Sequence, residues 1–128
     1  MDTPKEIAAL AARFIDAVEA GDVEAALACY ASDARIWHNT DGIEQTPAEN
    51  AEVLSGFVKG FPTRSYDERR LDVFPGGFVE RHVLRGVSRR GAKLELAACI
   101  VCQVKAGKIS RLDEYFDSAA VAALARSA

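Results

Sequence analysis

The sequence predicts an α+β protein in which helices pack on one face of a curved sheet. Apolar residues recur at helical spacing through most of residues 4–60. After residue 63 the spacing changes to the alternation typical of strands, broken by short turn sequences rich in glycine. Helices that precede a run of strands, rather than alternating with them, favour α+β over α/β architecture.

The first helix is marked at both ends. Thr3 and Glu6 have the spacing of a capping box, and Pro4 occupies the first helical position. Gly21 suits a left-handed stop. The predicted apolar stripe consists of Ile7, Leu10, Ala11, Phe14 and Val18.

Two further helices follow. Asp22 is placed to cap a short second helix, whose apolar face is predicted to hold Val23, Ala26, Leu27 and Tyr30. Residues 46–49 repeat the Thr-Pro-x-Glu pattern and begin a third helix, which Gly60 and Pro62 end. Its predicted buried stripe is Val53, Leu54 and Phe57.

A short strand is predicted at residues 34–38, between the second and third helices. Longer strands are predicted at 65–74, 78–88, 94–104 and 109–116. The turn signals between these longer strands predict that neighbours pair antiparallel. Asp117 and Ser118 then begin a short Ala-rich C-terminal helix.

Composition limits the class of protein. A chain of 128 residues predicts one domain, residues 1–128. The net charge of −3 argues against a nucleic-acid binder, and no apolar run approaches the ~20 residues of a membrane span. Three cysteines without a secretory signal predict reduced thiols and a cytoplasmic location.

The most informative polar residue is His38, near the end of the predicted short strand. Alternation places His38 on the same face as Ile36 and places Trp37 on the other face. If Ile36 faces the core, His38 faces inward as well. An inward histidine can take or give a proton near neutral pH, whereas a histidine at a turn can instead serve as a structural cap.

The last strand holds a second such position. Leu112, Glu114 and Phe116 share its apolar face, on which Glu114 is the odd polar member. A buried carboxylate is costly unless it is paired, so Glu114 is either hydrogen-bonded or functional. If His38 and Glu114 line one cavity, they can form a base and the group that orients it.

Other polar positions are less determined. Cys99 and Cys102 fall on opposite faces of one strand and so cannot pair or share a metal, and no metal site is predicted. The strand of His82 carries polar residues on both faces, so its direction stays open. The directions of Tyr66 and Arg69 stay open as well.

Five segments carry a resemblance to a known family. In one-letter code they are FIDAVEAGD (14–22), YASDA (30–34), IWHNTDG (36–42), GKI (107–109) and DEYFD (113–117). With this order of elements the chain resembles, over nearly its whole length, the nuclear transport factor 2 superfamily. That superfamily includes ketosteroid isomerases, limonene epoxide hydrolases and SnoaL-like polyketide cyclases, and residues 36–42 are similar to a SnoaL-like subgroup.

The resemblance implies a cone-shaped, mixed or antiparallel sheet wrapped against three helices around an apolar pocket, a cystatin-like roll. It also implies a homodimer through the convex face of the sheet. That face would include Glu95, Ala97, Cys99, Val101 and Gln103.

The resemblance is incomplete at the catalytic positions. His38 falls where ketosteroid isomerases keep a general-base aspartate, and Phe14 falls where they keep an oxyanion-hole tyrosine. Their second oxyanion donor would lie near Ile100, where nothing can donate. Arg81 and Arg85 are candidates for the arginine of the Asp-Arg-Asp arrangement in the epoxide hydrolases, but no carboxylates on the inward faces complete it.

The sequence therefore predicts a small enzyme without a cofactor, acting by acid/base chemistry on an apolar or aromatic molecule that bears a carbonyl or hydroxyl group. Isomerisation, cyclisation, elimination and hydration all fit. His38 and Glu114 are the predicted catalytic residues. The predicted pocket-lining residues are Phe14, Val18, Tyr30, Ile36, Phe57, His82, Cys102, Leu112 and Phe116. The alternative is a non-catalytic ligand-binding or protein-interaction module on the same fold.

Overall fold

The computed structural model describes the backbone of residues 2–127 and the side chains of residues 2–123. The helices are α1 (Pro4–Ala20), α2 (Val23–Ala28), α3 (Pro47–Gly60) and α4 (Ser118–Ser127). The strands are β1 (Tyr30–His38), β2 (Glu44–Gln45), β3 (Thr63–Phe74), β4 (Gly77–Val87), β5 (Lys93–Lys105) and β6 (Lys108–Phe116). The predicted α+β class is confirmed. Two details differ from the prediction. Tyr30 begins β1 instead of lying on α2. The sheet also contains β2, which was not predicted because two residues are too few to show an alternating pattern.

The strands form a curved, unclosed sheet in the order β2-β1-β6-β5-β4-β3. Strands β3 to β6 pair antiparallel in chain order, as the turn signals predicted. Strand β1 pairs parallel with β6, which joins the first strand of the chain to the last. The register shifts in β1, in β3 and between β5 and β6. Such irregularities bend a sheet and increase its twist.

The core lies between α1 and the inward faces of the strands. Strand β5 shows the clearest alternation, with one face buried from Leu94 to Val104 and the other at least partly exposed. The residues of the predicted convex face all belong to this second face. The largest of the fully buried side chains are Ile7, Leu10, Ile36, Phe78, Ile100, Cys102 and Ile109.

The helix starts follow the predicted capping chemistry, but the stripe of α3 is not buried as predicted. Thr3 and Thr46 both form complete capping boxes, with Glu6 and Glu49 respectively. No residue of α3 is fully buried, and Val53 is 53% exposed. The reason is that the apolar face of α3 borders an open cavity instead of a filled core.

Helix α1 is fastened to the sheet at an irregular point of β3. The strand shifts register between Asp67 and Arg70. There the Arg69 guanidinium donates to Asp16 at 2.6 Å and to Glu19 at 2.9 Å. The other carboxylate oxygen of Glu19 accepts from the backbone N–H of Tyr66 at 2.7 Å. These contacts fix where β3 lies against α1 and thereby position Tyr66.

Among the described residues, no helix is both long enough and apolar enough to cross a membrane.

Gly77, at the start of β4, tests how tightly the sheet packs. A Cβ atom there would overlap the backbone oxygen of Cys102 and lie 2.6 Å from the Phe74 ring. We expect Gly77→Ala to lower the free energy of unfolding by about 1–3 kcal/mol, measured by urea denaturation. The matched control is Gly56→Ala in α3, where the added Cβ meets no atom within 4 Å. It should raise stability by about 0.5–1 kcal/mol, and equal effects of the two changes would contradict this account.

Candidate active site

A cavity of about 360 Å³ lies between the concave face of the sheet and helices α1 to α3. This volume falls within the range of small-molecule sites. Most of the side chains around it are apolar. The polar lining residues are Tyr30, His38, Thr40, Asp41, Gln45, Asn50, Tyr66, His82 and Glu114.

The cavity has an open end and a closed end. Its exposed lining residues mark the mouth, between α2, the turn after β1, and α3: they are Leu27, Thr40, Asp41 and Val53. Its buried residues on β3, β4 and β5 form the floor: they are Tyr66, His82, Leu84, Leu96 and Ile100. The side chains of His38 and Glu114 are 15% and 18% exposed, less than the residues of the mouth and more than those of the floor.

His38 and Glu114 are brought together by strand pairing. The parallel register of β1 and β6 places the two residues directly opposite each other. The Nε2 atom of His38 lies 3.1 Å from Oε1 of Glu114. The Phe116 ring stacks parallel to the imidazole, with 6.0 Å between ring centroids. Both side chains line the cavity, as alternation predicted for each strand separately.

Asn39 fixes this register through three hydrogen bonds to β6. Its side-chain amide donates to the carbonyl oxygen of Phe116 at 3.0 Å and accepts from the N–H of Phe116 at 2.9 Å. Its own backbone N–H donates to the carbonyl oxygen of Glu114 at 3.0 Å. Asn39 therefore fastens the end of β1 to β6 beside His38.

Opposing influences set the protonation of His38. Burial is the largest, and by itself it would lower the pKa of His38, because it disfavours the charged imidazolium. The hydrogen bond and negative charge of Glu114, with a smaller contribution from Asp41, outweigh burial. The pKa of His38 therefore lies above its ordinary value of 6.5.

A second histidine–glutamate pair lies at the floor. The Nδ1 atom of His82 lies 2.6 Å from Oε1 of Glu80, and the two residues are 5% and 3% exposed. The Tyr66 ring packs against the imidazole, with 4.8 Å between centroids. Sequence reasoning did not find this pair. The available signal was that Glu80 and His82 stand two residues apart and so share a face of β4, together with buried Leu84.

All but one of the predicted pocket residues line the cavity: they are Phe14, Val18, Tyr30, Ile36, Phe57, His82, Leu112 and Phe116. Cys102 does not line it and is completely buried in the core. It is the next inward position after Ile100 on β5, and its β4 partner Phe78 is also completely buried and does not line the cavity, so this part of the sheet belongs to the filled core.

Of the positions whose direction stayed open, Tyr66 and His82 face the cavity, whereas Arg69 binds α1. Arg85 pairs with three carboxylates, those of Asp67, Glu68 and Glu95. Within the part of the chain that the structure describes, no three or more His, Cys, Asp or Glu side chains converge as a metal site would require.

Comparison with known proteins identifies the family. The SnoaL-like domain model matches residues 11–112, so the chain belongs to the SnoaL-like domain family. No curated protein sequence matches the chain significantly.

Solved structures agree on the fold. A candidate polyketide cyclase from Xanthomonas campestris pv. campestris is 19% identical, with a TM-score of 0.80 over 88% of this chain and 91% of that one. A nuclear transport factor 2-like protein from Burkholderia xenovorans LB400 is 20% identical, with a TM-score of 0.77 over 93% and 95%. A candidate isomerase from Bacillus subtilis is 11% identical, with a TM-score of 0.84 over 100% and 98%. The chain therefore has the nuclear transport factor 2-like fold.

The coupling of His38 to Glu114 predicts a pH-dependent stability. Because the pKa of His38 is raised on folding, its stabilising contribution is complete below its ordinary value of 6.5 and is lost as pH rises through the raised pKa. Glu114→Gln should therefore destabilise the protein most at about pH 6, and progressively less at higher pH. Urea denaturation across this range measures the effect.

The matched control is Glu52→Gln, an exposed glutamate on α3, which should show no such trend. In parallel, NMR titration of the His38 imidazole should give a lower pKa in Glu114→Gln than in the unmodified protein. An unchanged titration would contradict the coupling.

Proposed function

We propose that the protein is a small-molecule enzyme that works without a cofactor and uses His38 as its general acid and base. The observation that carries the proposal is the contact of 3.1 Å between His38 and Glu114 inside a mostly apolar cavity. Its substrate is an apolar molecule that bears a carbonyl or hydroxyl group.

Glu114 decides which imidazole nitrogen reacts. Nε2 of His38 lies 3.1 Å from the Glu114 carboxylate, so in the neutral histidine the carboxylate favours the tautomer protonated on Nε2, and the lone pair then lies on Nδ1. Within residues 2–123, no other group hydrogen-bonds Nδ1. Nδ1 is thus the atom that takes a proton from the substrate and later returns it. The carboxylate stabilises the imidazolium that forms between these two steps.

The apolar surroundings strengthen this chemistry. Most of the side chains that line the cavity with the pair are apolar, and substrate binding excludes water from around it. Charges and hydrogen bonds act more strongly at low dielectric. Proton transfer beside a carbonyl or hydroxyl group is common to isomerisation, cyclisation, elimination and hydration. The names of the Xanthomonas and Bacillus structures, cyclase and isomerase, fall within this group.

The oxyanion mechanism of the ketosteroid isomerases does not transfer to this cavity. Phe14 has no hydroxyl, and its ring packs edge-on against Tyr30 with 5.4 Å between centroids. Ile100, at the position expected for the second donor, is apolar. The substrate oxygen is therefore bound in some other way.

A non-catalytic module is the second candidate. A cavity filled by side chains would favour a protein-interaction module, and the open volume of about 360 Å³ argues against that form. A ligand-binding module needs the same cavity, so what favours the enzyme over it is the contact between His38 and Glu114.

Dimerisation through the convex face stays a prediction. On this face of β5, small or partly exposed side chains stand between Glu95 and Gln103. If two copies pack here, Ala97→Arg should convert a dimer to a monomer in analytical ultracentrifugation. Ala48→Arg, at an exposed position of α3, is the control and should not. A monomeric unmodified protein would contradict the prediction.

A nitrobenzisoxazole tests the catalytic proposal, because its ring opens when a base removes a C–H proton. We expect His38→Gln to lower the rate at least about 100-fold, the usual contribution of a positioned base. Glu114→Gln should lower it about tenfold, since a hydrogen bond to a charged group contributes about 1.5–3 kcal/mol and its amide keeps part of that bond. The rate should rise with pH through the raised pKa of His38, because the base must be neutral.

In Glu114→Gln the midpoint of that pH profile should move to lower pH, while Glu52→Gln should behave as the unmodified protein does. An unmodified protein no faster than His38→Gln would overturn the proposal.

A further inference from the structure

The floor of the cavity presents polar groups that the proposed reaction does not use. Glu80 is not among the lining residues and lies behind His82, where it binds Nδ1. His82 itself lines the cavity, so Nε2 is the nitrogen left for a ligand. In the described part of the chain, residues 2–123, no group hydrogen-bonds Nε2.

The Tyr66 hydroxyl is the neighbouring polar group. Tyr66 also lines the cavity, and its ring packs against His82. Its backbone N–H and carbonyl are held by Glu19 and Arg69, but no hydrogen bond to its hydroxyl occurs within the described residues. Burial, followed by the charge of Glu114, raises the pKa of Tyr66, so the hydroxyl keeps its proton and can donate.

Burying the Glu80 side chain at this position costs free energy. Its Oε2 is buried and has no hydrogen-bond partner among the described residues. Unpaired buried carboxylate oxygens are uncommon, because each costs desolvation free energy that nothing returns. An apolar residue would fill the same position in the core more favourably. What Glu80 provides in return is the hydrogen bond that orients the His82 ring.

The two histidine–glutamate pairs lie at opposite ends of one row across the sheet. Glu80 is paired with Ile100, Ile100 with Glu114, and Glu114 with His38. Neighbouring strands lie about 4.8 Å apart, so the backbones of β1 and β4 are separated by about 14 Å, less the effect of curvature. An elongated ligand over Ile100 can therefore reach both pairs at once.

We infer that His82 and Tyr66 form a second binding site, which holds an oxygen function at the inner end of the substrate. A hydroxyl group fits best, because it can both accept from Tyr66 and exchange a hydrogen bond with Nε2 of His82. The inference rests on the proposed function of the cavity and narrows its substrate to elongated apolar molecules with an oxygen at each end. Glu80 is a positioning residue, which fixes the His82 ring.

Three aromatic probes of similar shape test the site: naphthalene, naphthol, and the dihydroxynaphthalene whose hydroxyl groups lie at opposite ends. Affinities come from NMR titration of the imidazole nitrogen resonances. We expect the second hydroxyl to tighten binding about five- to tenfold over naphthol, the usual gain from one hydrogen bond. Binding of the diol should also shift the Nε2 resonance of His82.

Tyr66→Phe removes only the hydroxyl and should abolish most of this gain, while naphthol binding stays unchanged. The matched control is Tyr115→Phe, a change at an exposed tyrosine outside the cavity lining, which should keep the gain. Glu80→Gln should change the ratio of the two His82 tautomers in the nitrogen spectrum, a readout that a purely structural role would not move.

The outcomes separate the two proposals. If naphthol binds but the second hydroxyl adds nothing, or if its gain survives Tyr66→Phe, the second site is wrong and the proposed function stands. If none of the probes shifts any cavity resonance, the second site is overturned, and the proposed function is overturned with it only if the nitrobenzisoxazole rate is also independent of His38. A nitrobenzisoxazole rate that depends on His38, with no binding gain from the diol, overturns the second site alone.

Discussion

The parallel pairing of β1 with β6 is the constraint on which the rest of the structure depends. It joins the segment between the first helices to the end of the chain, and the side chain of Asn39 fixes its register. Without it the sheet would lack its mouth-side edge, and the cavity would lose one wall. The same pairing sets His38 opposite Glu114, so one backbone arrangement supplies both the shape of the site and its principal charged contact.

The cavity combines an apolar surface with polar groups in a few defined places. A buried ionisable group loses hydration, and this protein offsets the loss by pairing each inward histidine with a glutamate. The pair of His38 is partly exposed, as the proposed exchange of protons with a bound molecule requires. The pair of His82 is buried, with Tyr66 beside it, and is suited to hold a ligand in place. The two pairs thus differ in exposure although they share the same chemistry.

Sequence reasoning reached part of this site, and the limits have physical causes. His38 and Glu114 were accessible because each is a polar residue at an inward position of an otherwise apolar pattern. Tyr66 was not accessible, because β3 shifts register just after it and little of that strand is buried. Cys102 was predicted to line the cavity but lies in the core. Its inward direction on β5 could be predicted, but alternation does not establish whether an inward side chain meets the cavity or the filled core.

The sequence by itself determined the α+β class, the helix starts, the four long strands, and which neighbours share a strand face with His38 and with Glu114. These follow from local rules, because capping and alternation depend only on neighbours along the chain. Only the tertiary structure decided that β1 lies beside β6, that α3 faces open space, and that Glu80 stands behind His82. Such facts depend on strand order, bulges and the packing of distant segments, which no pattern within a single segment encodes.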